Sequence, residues 1–180
     1  MKVVSDISKD GVSAFQPIFF ELSGQWLLDP NEVNGWGQLG VHDNVNSQDL
    51  GNVGANLNRL AGGLMFPFDV RLKRMKAWHY NSNGSALPWG WVFFKQQKLE
   101  DDNDVTTTYI HDEVANNGGE GPRDYGNNRN YPTDILFNGN NEAIINEGVM
   151  FGMGVASPTA ITTNYYVRIL TGFLEFERLS

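Results

Sequence analysis

The chain has 180 residues, which suits one domain; two would each be small for an independent core. A net charge of −8 and a sequence pI near 4.7 argue against a nucleic-acid partner, because phosphate backbones are gripped by basic stripes that displace counterions. With no cysteine, disulfides, zinc–thiolate sites and thiol nucleophiles are excluded.

In chain order, residues 1–13 are polar and mixed and read as a flexible N-terminal arm. Met1 to Asp6 carries no apolar signal-peptide core, and no apolar run approaches the ~20 residues of a membrane helix, so a soluble product made in the cytoplasm is expected. From Ala14 onward the chain reads as a single domain, 14–180. Phe15, Ile18, Phe19, Phe20 and Leu22, then Gln25 to Leu28 after Ser23-Gly24, predict a hairpin of buried strands. Trp36 to His42 is a short strand candidate, and Asp43 to Gly63 a long Asn- and Gly-rich loop, of the kind that packs on something or carries function.

The middle of the chain is strongly β-forming. Leu64 to Tyr80 and Pro88 to Lys98 flank a turn at Asn81 to Ser85, and Val105 to Val114 brings branched and aromatic residues suited to a pleated surface. Asn116 to Thr133 reads as a second long polar loop. Ile135 to Phe137 and Ala143 to Ile145 are short strands around the turn signal Asn138-Gly139-Asn140-Asn141. Val149 to Val155 is apolar, and Asn164 to Leu179 is a long closing strand. Its apolar phase flips between Val167 and Ile169 on one side of Gly172 and Leu174 and Phe176 on the other, which predicts a bulge.

With 20 Asn beside 20 Gly there are many turns, and no segment shows a helical period. The fold class is therefore all-β: an antiparallel β-sandwich of jelly-roll type with about eight to ten strands.

No motif specifies a reaction, and the chain is not expected to be an enzyme, nor to carry a cofactor. His42, His79 and His111 have no metal-ligand spacing. Asp101, Asp102 and Asp104 have the composition of a calcium loop but lack its central glycine and distal glutamate, so a charged hairpin tip competes with calcium binding. Glu113, Glu120, Asp124 and Asp134 supply carboxylates, yet nothing singles out a hydrolytic pair. Ser157 sits in no nucleophile elbow, and Gly152-Met153-Gly154 is only part of a phosphate-binding pattern. Strand alternation splits Arg71, Lys73, Arg74 and Lys76 between two faces.

The aromatics offer more. Trp26, Trp36, Trp78, Trp89 and Trp91, with Tyr80, suit either a core or subunit contact or a sugar-stacking platform, since large rings anchor both. Binding or interface candidates are Trp78, Tyr80, Trp89, Trp91, Arg123, Tyr125, Tyr166 and Phe173.

Several stretches resemble structural proteins of marine tailed-phage virions of the cyanophage type. They are Ala77 to Asn83, Gly90-Trp91-Val92, Thr106 to Ile110, and Gly118 to Tyr125. The ending, Tyr165 to Ile169 through Gly172-Phe173-Leu174-Glu175-Phe176-Glu177, resembles the closing strand of C1q/TNF-like jelly rolls. The resemblance spans roughly Phe15 to Leu179 in short motifs and texture, and it brings no active-site signature.

It implies a virion location and a homotrimer that docks on the major capsid protein or another virion protein, as a capsid decoration or cement protein or a small head appendage. The alternative is a carbohydrate- or receptor-binding module, a lectin-like or tail-fibre head recognising a cell-surface glycan. The loops 43–63 and 116–133 are the expected contact surfaces.

Overall fold

The computed structural model describes residues 17–22, 24–28, 63–82, 87–98, 105–113, 123–125, 129–157 and 165–179. The arm 1–13, the strand candidate 36–42, nearly all of the 43–63 loop, the acidic run 101–104 and residues 114–122 lie outside them. Among the described residues there are eleven strands: β1 (Pro17–Glu21), β2 (Gly24–Leu28), β3 (Leu64–Met65), β4 (Val70–Ser82), β5 (Leu87–Lys98), β6 (Val105–Asp112), β7 (Arg123–Tyr125), β8 (Arg129–Leu136), β9 (Ile144–Ile145), β10 (Met150–Ala156) and β11 (Tyr165–Arg178).

Every strand pairing is antiparallel. One sheet runs β1-β11-β4-β8, with β2 continuing the β1 edge along β11 and β9 continuing the β8 edge along β4. The second runs β3-β10-β5-β6, and β7 adds to the start of β5. When collinear segments are counted as one strand and β7 is set aside, the sheet orders become 1-8-3-6 and 2-7-4-5. First and last strands are neighbours, and the chain changes sheet at every step except the fourth to fifth. That is a jelly-roll sandwich.

Three local expectations change. The described residues of 15–28 form no hairpin: β1 pairs with Phe173–Glu177 and β2 with Tyr165–Ile169 of the same strand. They make one edge, interrupted where Leu22 turns into the core and its N–H reaches the Gly172 carbonyl at 2.9 Å. The 116–133 loop contains β7 and the first half of β8. Pro132 disguised β8, but an outer strand tolerates a residue that cannot donate to the ladder.

The phase flip in β11 is real, yet its centre is Leu170: Ile169 pairs with His79 and Thr171 with Trp78, leaving Leu170 as the extra residue. Gly172 has a different task. A Cβ there would stand 2.7 Å from the Lys76 carbonyl oxygen and 2.7 Å from the Ala77 Cβ, so only glycine lets β11 lie this close to β4.

The core lies between the sheets. At one end the Phe176 ring meets Phe20, Phe66 and Phe151, the Phe66 and Phe176 rings 4.8 Å apart. At the other end Trp89, Trp91 and Tyr125 surround His79. Gly152 is filled from the outer side of its sheet instead: the Phe94 ring lies 2.5 Å from where a Cβ would stand, so Gly152-Met153-Gly154 is mid-strand geometry.

Candidate functional site

Along their central strands the two sheets present unlike outer faces, although Met65 on the short β3 edge of the second sheet is 65% exposed. On β5 the outward-pointing Val92, Phe94 and Gln96 are buried as fully as the inward Trp91 and Phe93. On the other sheet the outward residues stay in contact with solvent. Phe19 is 58% exposed, Leu136 60%, Leu170 50% and Trp78 49%, although large apolar side chains are usually withdrawn from water. This open face is the candidate functional site.

Strand register lays the face out in rows. Phe19, Glu175, Arg74 and Leu136 form one row across β1, β11, β4 and β8. On one side of it lies the row Pro17, Glu177, Arg71, Ile144. On the other lie Glu21, Phe173, Lys76, Asp134, then Thr171, Trp78, Pro132, then Arg168, Tyr80, Asn130. Phe19 meets the edge of Phe173 with ring centroids 5.5 Å apart.

The basic cluster falls wholly on this face, contrary to simple alternation. Glu175 pairs with Arg74 but Phe176 with Leu72, so Lys73 is an extra residue in β4. That bulge reverses the parity and turns Arg71, Lys73, Arg74 and Lys76 the same way.

Each base has an acid nearby. The Arg74 guanidinium donates from Nε to Asp134 at 2.7 Å and from a terminal nitrogen to the second carboxylate oxygen. The paired charges hold Asp134 below the usual carboxylate range and Arg74 above its ordinary value, the shared hydrogen bonds being the main cause in both. Lys73 Nζ lies 3.4 Å from Glu177. Around the central row acids thus lie on β11, as Glu175 and Glu177, and bases on β4, with Phe19 and Leu136 in the outer strands, while Arg168 further along β11 is basic.

Of the sequence candidates, Trp78, Tyr80, Tyr166 and Phe173 belong to the strand positions of this face. Trp89, Trp91 and Tyr125 do not join them: they are buried between the sheets, where a sugar has no access. The backbones of Arg123 and Asp124 pair with Trp89 and Pro88, and their side chains lie outside what is described, as do Glu120, His42 and the 101–104 acids. Sequence reasoning missed Phe19, Leu136 and Leu170. The alternation of Ile135 with Leu136 and of Ile18 with Phe19 was the available signal, but it required knowing which side met the core.

The remaining polar candidates have structural partners. His79 is fully buried; Thr133 Oγ1 lies 3.2 Å from its Nδ1, and Tyr131 stacks on the ring. Burial pushes its pKa down to about 4, because the aromatic surroundings cannot solvate an imidazolium. Glu113 accepts a 2.8 Å hydrogen bond from the Trp91 N–H and stands 3.7 Å from His111 Nε2. Ser157 donates to the Pro88 carbonyl at 2.8 Å, tying β10 to β5. Among the described residues no three His, Asp or Glu side chains stand together as a metal-binding group, and no helix is long and apolar enough to cross a membrane.

No protein-family model and no curated protein matches the chain. Among solved structures, one similar chain is the BFDV capsid protein in its decameric crystal structure, at 12% identity over 92% of this chain and 100% of that one. Its TM-score is 0.39, too low to transfer a fold or a function.

Proposed function

We propose that the chain is a structural component of a virion that works by self-association and docking, as a capsid decoration or cement protein or a small head appendage. The supporting observation is the outer face of the β1-β11-β4-β8 sheet, where four large apolar side chains stay exposed among ordered charge pairs. Exposed apolar side chains gathered on one face of a folded domain mark a contact surface. The sequence resemblance to tailed-phage virion proteins supplies the setting, and the open sheet supplies the means. Mass spectrometry of purified particles tests the reading: the protein should be present in fixed stoichiometry with the shell, and its absence sinks the idea.

A second reading is favoured by Trp78. Its half-exposed ring shares a strand face with Tyr80, two residues on, so two aromatic groups stand about 6.7 Å apart along β4. Flat sugar faces stack on such rings, which supports a carbohydrate- or receptor-binding role. Glycan-array binding lost in Trp78→Ala would favour it, and no binding by the wild type would remove it.

A further inference from the structure

We propose that the open face of the β1-β11-β4-β8 sheet is where two copies of this chain meet, face to face, about a two-fold axis running along the strands between β11 and β4. The proposal rests on the reading of this face as an assembly surface and names its partner. A half-turn about that axis lays β11 on β4 of the second copy, lays β1 on its β8, and keeps every row over itself.

In the central row Phe19 then covers Leu136 of the second copy while Glu175 faces its Arg74, and each contact recurs by symmetry. In the adjoining row Glu177 faces Arg71 of the second copy. The other face-to-face half-turn, about an axis across the strands, would set β11 on β11 and β4 on β4. With that axis on the central row Glu175 would meet Glu175 and Arg74 would meet Arg74, and Arg71 would meet Lys76, like charges that an interface avoids. The charge pattern therefore selects one symmetry.

The row Glu21, Phe173, Lys76, Asp134 is less favourable, and its cost is small. Phe173 comes over the apolar stem of Lys76. Glu21 meets Asp134 at the rim, where salt screens like charges and Arg74 already holds Asp134. Four strands over the length of these rows offer roughly 600 Å² of face, somewhat under the about 800 Å² per partner of a standard interface. The pairing is accordingly concentration-dependent. It is also two-fold, where the virion resemblance implies three.

The absence of cysteine makes the test clean. Phe19 and Leu136 of one copy lie three strand spacings apart, about 14 Å, well beyond the ~7 Å that a disulfide can bridge. Under mild oxidation Phe19→Cys/Leu136→Cys should therefore give a covalent dimer of doubled mass, while each single variant stays at monomer mass. No covalent dimer, a trimer, or an open ladder of species overturns the proposal.

Charge variants give a second readout, by sedimentation. Glu175→Lys and Arg74→Glu should each be monomeric where the wild type dimerises, and an equimolar mixture should recover the dimer. A mixture that stays monomeric, or a wild type monomeric at its highest soluble concentration, overturns it as well. Particle composition separates this from the broader reading: protein present in particles but never cross-linked rejects the pairing alone, and cross-linked dimers absent from particles reject the virion role alone.

Discussion

Successive residues of one sheet lead separate lives on its two sides. Phe176 is fully buried against Phe20, Phe66 and Phe151, whereas its neighbour Glu175 faces water beside Arg74. His79 is sealed among aromatic rings, whereas Trp78 is half exposed. The inner side holds the fold, and the outer side is free for contact. Because strand side chains alternate, single substitutions one residue apart separate stability from association.

The inner side gives the largest expected effect. Phe176→Ala removes a ring from an aromatic stack that the opposite sheet cannot refill, and such losses cost about 3–5 kcal/mol. Denaturant melts of the purified monomer should show it as a lower midpoint with an unchanged slope. A cost under about 1 kcal/mol would mean that this end of the core collapses freely onto the gap. Gly172→Ala comes next. Its added methyl meets the Lys76 carbonyl and Ala77 within 2.7 Å, and neither is the end of a flexible chain, so overpacking should cost about 1–3 kcal/mol.

The fold was more legible than the face. Turn-rich composition, branched and aromatic runs, and the closing strand were enough to reach a jelly roll, because each reports local backbone preference. The hairpin expected at 15–28 failed for a non-local reason: both halves are claimed by β11, and nothing within the segment encodes a partner some 150 residues away. The open face was obscured by parity. Extra residues at Lys73 in β4 and Leu170 in β11 each reverse the alternation within the strand. A strict period of two therefore assigns part of each strand to the wrong side, and the basic cluster was misread in that way. Trp89 and Trp91 were correctly read as sharing a face; only the opposing β4, with His79, shows it to be the inner one.

A smaller effect comes from acid, again on the inner side. In the unfolded chain His79 should titrate near 6.5, whereas burial lowers its folded value to about 4. A depressed folded pKa means that the unfolded chain takes up the proton first. The stability tied to neutral His79 is therefore complete above pH 6.5 and declines as pH falls toward 4, by at most about 1.4 kcal/mol per pH unit. His79→Gln should flatten the stability–pH profile in that window, whatever it does to the absolute value. An unaltered slope would assign the acid sensitivity to other groups.

The smallest change in stability belongs to the outer side. Leu136 is 60% exposed and next in sequence to the core-packed Ile135, so Leu136→Ser leaves the interior untouched. Surface changes of this kind fall within about ±0.5 kcal/mol, and the melt should be nearly superimposable on that of the wild type. Sedimentation should nevertheless show weaker self-association, since each dimer would lose two Phe19–Leu136 contacts. The contrast with Phe176→Ala is what matters: one variant unfolds early, and the other folds normally but assembles less. If Leu136→Ser destabilised the monomer as strongly as the core variant, the outer row would be part of the fold, and the separation between the two sides would fail.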